Sequence, residues 1–333
     1  MARALVIAHR GACALLPEHT LEAYARAIAD GADWIEPDLV CTRDGVLVAR
    51  HENEIGATTD VARHPGFAAR RAKREVDGRT VEGWFVEDFT LAELKTLRAR
   101  EWLPDLRSTA HDGEFGIPTL DEILALLATG SAARGRDIGV IPEIKHPSHF
   151  RALGLPIEER LLAQLDAHAI TRRVPVVIQS FETGNLRRLR AQLGARANVR
   201  LMQLLGAAHK APADADAGVT YATLATPAGL RDIATYAHVL GAPSRAIVPV
   251  DAQGALAAPT TLVADAHAAG LEVMAYTFRP ENHFLPRALW RGEDPRAISE
   301  AGSIAEIRAV LAAGIDGLFA DHPALARTAV DGA

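Results

Sequence analysis

Short apolar segments alternate with amphipathic segments along nearly the whole chain, and this alternation constrains its fold most. The apolar segments have the length and composition of buried strands. The segments between them have helical periodicity, and several end at a glycine, as at Gly31, Gly270 and Gly314. A strand–helix unit repeated eight times predicts a (β/α)8 TIM barrel, an α/β fold. The predicted strands are Leu5–His9, Trp34–Val40, Gly139–Lys145, Val174–Phe181, Val199–Leu205, Ala246–Val250, Leu271–Phe278 and Gly317–Ala320.

An open, doubly wound sheet is the alternative architecture, because it would have the same alternation. No GxGxxG motif follows the first predicted strand, which weakens this alternative. The predicted helices are Thr20–Asp30, Thr119–Ala128, Ile157–Ala167, Glu182–Leu193, Pro227–Leu240, Thr260–Ala269 and Ser303–Ala313.

An insertion interrupts the regular pattern between the second strand and the second helix. Val46–His51 has strand composition and follows Asp44-Gly45, a strong signal for a two-residue hairpin turn, so we expect an extra antiparallel strand. Residues 52–116 are rich in charges, glycine and proline, with one predicted helix at Leu91–Ala99, and are too long for a simple loop. We therefore predict a barrel from residues 1–51 and 117–333, with residues 52–116 as a small insertion over the catalytic face. Thr119 is the expected N-cap where the barrel resumes.

Composition and charge exclude several classes of protein. The hydrophobic fraction of 49% is enough for a sizeable core, and the net charge of −6 gives no electrostatic case for binding nucleic acid. No apolar run is long enough for a transmembrane segment, and no signal peptide precedes the first predicted strand. Two cysteines, Cys13 and Cys41, are too few for a disulfide framework, and we expect two unpaired thiols, although both follow predicted strands that could be neighbours.

Glu36 and Asp38 are the first candidates for chemistry. Alternation along a strand places both carboxylates on one face, with Ile35, Pro37 and Leu39 on the other. Buried like charges repel each other, and a bound divalent cation or a protonated partner would remove that repulsion. The alternative is a strand end that reaches solvent. Pro37 also weakens the strand assignment, because proline lacks a ladder donor.

The predicted hairpin adds a histidine to this pair. With Asp44 and Gly45 as the turn residues, Val40 lies opposite Ala49 and Asp38 lies opposite His51. An imidazole beside two carboxylates is a grouping that suits acid–base chemistry next to a metal site. A cross-strand charge pair on an exposed hairpin is the alternative.

Two further strand ends contribute candidates. Glu143 and Lys145 share a face of the third predicted strand, so Glu143 can complete a three-carboxylate site, while Lys145 is either a phosphate contact or a simple counter-ion. Ligands that are all oxygen suit Ca²⁺ or Mg²⁺. His9 and Arg10 end the first strand, at the mouth of the predicted barrel.

These residues lie within motifs that resemble the glycerophosphodiester phosphodiesterases. The resemblance includes the opening segment IAHRGACALLPEHTLEAYARAIADGADWIEPDLVCTRDGVLVARHENEI, and continues with VEGWFVEDFTLAELKTL, IPEIK, VIQSF, RLMQLL, AYTFR and GIDGLFADHP. It covers nearly the whole chain and is closest to the bacterial periplasmic branch. It implies His9 and His51 as general acid and base, Glu36, Asp38 and Glu143 as ligands of Ca²⁺ or Mg²⁺, and Arg10, Lys145, Glu18, Gln179, Gln203 and Tyr276 as phosphate-contacting or pocket-lining residues.

The resemblance also implies an activity: cleavage of glycerophosphodiesters such as glycerophosphocholine or glycerophosphoethanolamine to sn-glycerol 3-phosphate and an alcohol. Two departures from the family concern substrate preference, since many relatives have His-Asp where this chain has His51-Glu52, and tryptophan where it has Tyr276. The alternatives are a lysophospholipase D or sphingomyelinase D-like enzyme and a non-catalytic glycerophosphodiester-binding protein. We expect a periplasmic protein if a leader has been removed, and a cytoplasmic one if the sequence is complete.

Overall fold

Parallel strands close into an eight-stranded barrel within residues 3–332, which are the residues that this computed structural model describes. The first barrel strand pairs with the second on one side and with the eighth on the other, so the barrel is closed. The predicted TIM barrel is confirmed. The strands are β1 (Leu5–His9), β2 (Trp34–Glu36), β3 (Asp38–Cys41), β4 (Leu47–Ala49), β5 (Ala72–Val76), β6 (Arg79–Gly83), β7 (Gly139–Val140), β8 (Glu143–Ile144), β9 (Val176–Ser180), β10 (Val199–Leu204), β11 (Val239–Pro243), β12 (Glu272–Phe278) and β13 (Gly317–Ala320).

Helices surround the barrel and pack on the outward-facing residues of its strands. The predicted N-cap Thr119 is confirmed, because its hydroxyl accepts a hydrogen bond from the Glu122 amide in a full capping box. The helices are α1 (Leu21–Ala29), α2 (Leu91–Leu94), α3 (Leu120–Arg134), α4 (Pro147–Ala152), α5 (Ile157–Ala167), α6 (Thr183–Gln192), α7 (Tyr221–Leu224), α8 (Pro227–Ile233), α9 (Ser244–Ile247), α10 (Leu262–Ala268), α11 (Glu300–Leu311) and α12 (Pro323–Asp331).

Proline interrupts two of the barrel strands. The second barrel strand consists of β2 and β3 with Pro37 between them, and the third consists of β7 and β8 on either side of Ile141-Pro142. Proline lacks the backbone N–H that a central strand would donate, so the ladder breaks there. Alternation continues across both breaks, so Glu36 and Asp38 still share a face.

The barrel interior is filled by alternate residues of its strands. Their side chains form a cluster that is separate from the larger core between strands and helices. Glycine lies where a large neighbour needs room, as at Gly139, which pairs with Trp34. The interior cluster consists of Ile7, Trp34, Ile141, Val177, Met202, Leu204, Val239, Met274 and Phe319.

The sixth barrel strand differs from the prediction. The prediction placed it at Ala246–Val250, but the strand is β11, Val239–Pro243, and the predicted segment begins within the short helix α9. Helix α8 ends at Ile233 and leaves these residues free to pair with β10 and β12. The segment VLGAP lacks a clear strand signature because Gly241 makes room for Leu204 and Met202 in the interior.

The hairpin after the second barrel strand has a register one residue away from the prediction. Leu39 pairs with Ala49 and Val40 with Val48, so Val40 does not face Ala49. The ladder continues to Thr42 and Val46 around a three-residue turn that ends at Gly45, whose φ is +83°. The third turn residue shifts every pair by one, and β4 ends at Ala49. His51 therefore does not lie opposite Asp38 on the ladder.

Residues 52–116 contain the antiparallel hairpin β5–β6 and the helix α2. This helix is shorter than the predicted Leu91–Ala99 segment, since it ends at Leu94. Cys13 and Cys41 are both buried, free thiols, as expected. Among the described residues, no helix has the length and apolar character that crossing a membrane requires.

We predict that Gly139→Ala destabilises the barrel. A Cβ at this position would lie 2.5 Å from Cδ2 of the buried Trp34 indole, so either the strand or the indole must move. Such overpacking costs about 1–3 kcal/mol of the free energy of unfolding, which denaturant titration measures. Gly116→Ala is the matched control, because a Cβ there meets no atom within 4 Å. Equal stability of the two variants would contradict this packing.

Candidate active site

Strand register brings three carboxylates to the carboxyl ends of the first barrel strands. His9 pairs with Glu36, Asp38 pairs with Glu143, and Glu143 pairs with Gln179. Each of these residues follows the inward-facing interior residues of its strand in alternation. The site is therefore built on rigid strand ends, at the face of the barrel where TIM-barrel enzymes in general have their catalytic residues.

Glu36, Asp38 and Glu143 lie close enough to hold one cation. Each offers a carboxylate oxygen, and these oxygens lie within 4.8 Å of one another. All three residues are buried, and Oδ1 of Asp38 has no hydrogen-bond partner. Oε1 of the neighbouring Gln179 is also buried and unpaired. Unpaired buried oxygens are costly, and a hard divalent cation would satisfy them, so this set of donors fits Ca²⁺ or Mg²⁺.

The pKa values of these three carboxyl groups are shifted in different directions. Burial and the negative charges of Asp38 and Glu143 raise the pKa of Glu36 well above its ordinary value. Burial and Asp38 also raise the pKa of Glu143 to about 7, although Lys145 opposes the shift. The pKa of Asp38 instead lies well below its ordinary value, because nearby cations outweigh burial. Without a bound cation, repulsion within the cluster favours a shared proton.

Basic groups surround this acidic cluster. Lys145 Nζ lies 2.9 Å from Glu143 Oε1. The Arg10 guanidinium lies 2.7 Å from Glu18 and 3.3 Å from Asp38, and the Arg10 amide donates to Glu36 at 2.8 Å. Burial raises the pKa of Glu18, but Arg10 outweighs burial and lowers it to about 2. Glu18 therefore orients Arg10, as an acid beneath the predicted phosphate contact.

His9 and His51 are each held by a carboxylate beside Nδ1 of the ring. His9 Nδ1 lies 2.7 Å from Asp321 Oδ1, and His51 Nδ1 lies 3.1 Å from Glu52 Oε1. Burial and then the charge of Arg10 lower the pKa of both imidazoles to about 4. Both are neutral near pH 7, and within the described part of the chain Nε2 of each has no protein partner. These nitrogens are free to accept a proton from a ligand.

The two imidazoles line a cleft with two connected parts. The inner chamber, of about 360 Å³, is bounded by His9, Gln179, Tyr276 and Phe284 among others. The outer chamber, of about 1040 Å³, lies between the barrel mouth and the insertion. Both chambers share Arg10, His51, Glu143 and Phe181.

The structure brings together every site residue predicted from the sequence except Gln203. Gln203 has the opposite orientation to Met202 and Leu204 of the barrel interior, and it lines neither chamber. Its buried amide donates to the Phe181 carbonyl and accepts from the Tyr236 hydroxyl. The prediction that Gln203 lines the pocket is wrong, because its side chain bridges structural elements outside the barrel.

Sequence reasoning missed four residues of the site. The His19 ring lies 2.9 Å from Asp38 Oδ2. His19 belongs to the opening segment of the family resemblance, but the sequence predicted no role for it. Asp321 anchors His9 and also contacts Arg107 and Arg279. Asp321 directly follows the last barrel strand, so its place at the mouth could have been expected. The two arginines carried no comparable signal.

His146 attaches the insertion to the site. It follows Lys145 and lies 2.6 Å from Asp77, at the turn of the β5–β6 hairpin, and 3.2 Å from Glu52. Burial lowers the pKa of His146, but these hydrogen bonds outweigh burial and raise it to about 9. The charged imidazole thus holds the hairpin over the outer chamber, close to the anchor of His51.

Comparisons with known proteins agree with this geometry. A model of the "Glycerophosphoryl diester phosphodiesterase family" matches residues 9–325. A glycerophosphodiester phosphodiesterase of Arabidopsis thaliana is 36% identical over 84% of this chain and 75% of its own length. One from Haemophilus influenzae is 29% identical over 71% and 68%. A solved phosphodiesterase of Oleispira antarctica has the same fold, with a TM-score of 0.62, 20% identity, and coverage of 99% of this chain and 97% of its own.

We predict a pH-dependent loss of stability in His146→Asn, a substitution that tolerates the φ of +46° at this position. The folded-state pKa of about 9 exceeds the ordinary value of 6.5. The proton therefore stabilises the fold fully below pH 6.5, and this contribution is lost as the pH rises through 9. The variant should lose about 1–2 kcal/mol more of the unfolding free energy near pH 6 than near pH 10.

Unfolding of both proteins by denaturant across this pH range is the measurement. His111→Asn is the control, because it removes an exposed ion pair with Glu114, which contributes little, and a ring contact with Phe115, which does not depend on pH in the same way. A His146→Asn loss that is the same at both pH values would show that the imidazole is not charged in the fold.

Proposed function

Because this chain belongs to the glycerophosphoryl diester phosphodiesterase family and is a glycerophosphodiester phosphodiesterase, we propose that it hydrolyses small glycerophosphodiesters in a cation-dependent reaction. Candidate substrates are glycerophosphocholine and glycerophosphoethanolamine, which would yield sn-glycerol 3-phosphate and an alcohol. The observation that carries the proposal is the buried cluster of Glu36, Asp38 and Glu143, which shares one cleft with two anchored imidazoles. The solved relative from Oleispira antarctica holds sn-glycerol-3-phosphate as product.

Charge neutralisation is the first requirement of this reaction, because an anionic diester repels nucleophiles. Glu36, Asp38 and Glu143 would hold a divalent cation, Ca²⁺ or Mg²⁺, which supplies Lewis-acid stabilisation of phosphoryl charge when bound. Arg10 and Lys145 line the cleft beside this cluster. Their fixed positive charges would stabilise the charge that builds up on the phosphoryl oxygens in the transition state.

Proton transfer is the second requirement. One imidazole would take the proton of the attacking hydroxyl at its free Nε2. The other would first take up a proton from water at Nε2, which the negative charge of the bound diester favours, and would then donate it to the leaving alcohol. The nucleophile would be the 2-hydroxyl of the substrate's own glycerol, giving a cyclic phosphate that water then opens. This hydroxyl is already held beside the phosphorus, which lowers the entropic cost of attack. Nε2 of His9 and Nε2 of His51 are the atoms available for these transfers.

The surface around the cleft favours small diesters over lipids. The large hydrophobic residues that are exposed in the described part of the chain are Leu153, Val250 and Ile298, and these line neither chamber. An enzyme that takes its substrate from a membrane needs an apolar rim for contact with lipid. The walls of the outer chamber combine apolar side chains with charged ones such as Glu52, Asp77 and Arg79.

We predict that release of sn-glycerol 3-phosphate from glycerophosphocholine requires a divalent cation. A chelator should abolish release, and either Ca²⁺ or Mg²⁺ should restore it. Asp38→Asn should lower the rate by at least about 10²-fold at any cation concentration, because it removes a carboxylate ligand and the partner of Arg10. Asp105→Asn, an exposed acid in the insertion, is the matched control. Chelator-resistant release would refute the cation requirement, and no release with any cation would refute the proposed substrates.

We also predict that His9→Ala and His51→Ala each lower kcat by about 10²–10⁴-fold, the usual contribution of a general acid or base. Both variants should unfold at nearly the wild-type temperature, because neither imidazole fills the hydrophobic core. The control is His111→Ala, outside the cleft. A near-wild-type rate in either cleft variant would remove that histidine from the mechanism.

A further inference from the structure

Arg107 reaches the catalytic face from the insertion. Only 2% of its side chain is exposed. Its Nε donates to Glu281 Oε1 at 2.6 Å, its Nη1 donates to the Cys13 carbonyl at 2.9 Å, and its Nη2 donates to Asp321 Oδ2 at 2.6 Å. The guanidinium therefore has a partner on each nitrogen, and it joins the insertion to the loops after the first, seventh and eighth barrel strands.

Asp321 divides its two oxygens between different partners. Oδ2 accepts from Arg107 and, at 3.1 Å, from Arg279 Nε, while Oδ1 lies 2.7 Å from His9 Nδ1. The carboxyl is completely buried, and Arg279 and Arg107 outweigh burial to keep its pKa well below the ordinary value. An ionised carboxylate can only accept hydrogen bonds, so His9 Nδ1 must carry the proton.

We propose that Arg107 is a positioning residue, which binds the outer oxygen of Asp321 so that the inner oxygen holds His9 as the Nδ1–H tautomer with Nε2 free for the substrate. This inference rests on the proposed function, since His9 is the residue positioned. Tautomer control of a catalytic histidine by a buried carboxylate is known in other enzymes. Here the insertion supplies the Arg107 guanidinium, which binds and orients the Asp321 carboxylate.

A structural role alone would also account for part of the geometry. The bidentate pair with Glu281, at 2.6 and 3.3 Å, could anchor the insertion without any effect on His9. A metal site at the neighbouring cluster of His9, Cys13 and Asp321 is disfavoured, because two guanidinium groups already neutralise the carboxylate. The roles differ in one respect: only a positioning role makes the rate of proton transfer at His9 depend on Arg107.

The tautomer of His9 is directly measurable. In ¹⁵N NMR spectra of the cation-loaded protein, with His9→Ala used for assignment, wild type should show the proton on Nδ1. Asp321→Asn should move it to Nε2. The reason is that Arg107 and Arg279 can only donate, so they bind the amide oxygen of Asn and leave its NH₂ group facing the ring. An unchanged Nδ1–H tautomer in Asp321→Asn would overturn the proposal.

Steady-state kinetics distinguish a positioning role of Arg107 from a purely structural one. Arg107→Met should lower kcat about 10–10²-fold with KM changed less than about twofold, since it acts on proton transfer and not on binding. Arg107→Lys, which keeps the charge, should recover part of the rate. In Arg107→Met/Asp321→Asn the loss should not exceed that of Asp321→Asn alone, because Arg107 acts through Asp321. Additive losses, or an effect on KM alone, would overturn the proposal.

Arg100→Met is the matched control. Arg100 lies in the same insertion, is one-third exposed, and pairs with Asp112 at 3.3 Å, so its loss should leave kcat and the tautomer unchanged. Should Arg107→Met not fold, Asp321→Asn decides through the tautomer. Absence of any glycerol 3-phosphate release by wild type would instead refute the proposed function, and it would leave the tautomer measurement valid.

Discussion

Mutual repulsion of three buried carboxylates is the constraint that organises this structure. Glu36, Asp38 and Glu143 are brought together by strand register, in a place where burial limits the screening of their charges by water. At this burial a like-charge pair costs several kcal/mol unless cations or protons offset it. Arg10, Lys145 and the bound divalent cation that we propose supply that compensation. The cluster therefore depends on neighbouring positive charges, on a shared proton or on a bound cation for its stability.

The backbone of Arg10 also takes part in neutralising the acidic cluster. Arg10 has a φ of +56°, a left-handed conformation that is uncommon for a residue other than glycine. Its amide donates to Glu36 while its guanidinium pairs with Glu18 and Asp38. These charge-assisted contacts together offset a conformational cost of about 1–3 kcal/mol. Arg10 is thus held by the acids that it neutralises, so its position and theirs depend on each other.

Alternation explains both the success and the failure of the sequence predictions. Glu36, Asp38, Glu143 and Lys145 follow strands in which polar residues occur only on one face near the end, so their common orientation could be predicted. Gln203 lies within β10, where each face has one polar residue among apolar ones, Arg200 on one face and Gln203 on the other, so nothing local distinguishes inside from outside. The hairpin register depended on whether the turn has two or three residues, which Asp44-Gly45 does not decide. A slip by one residue reverses every side chain on a strand.

Contacts between distant segments were outside the reach of local patterns. The sequence separates Arg107 from Asp321 by 214 residues, and no periodicity links the two. Only the closure of the barrel places Asp321 beside His9, and only the path of the insertion brings Arg107 to the same place.

The insertion is attached to the barrel at two places, one beside each imidazole. On one side His146 joins Asp77 and Glu52, and Glu52 also anchors His51. On the other side Arg107 joins Asp321, which anchors His9. Both attachments are charge pairs to the carboxylates that orient the rings, so the insertion cannot move away from the cleft without releasing those carboxylates. A lid that only covered the outer chamber would need no such contacts. The geometry therefore makes the placement of the insertion and the orientation of the two imidazoles a single cooperative arrangement.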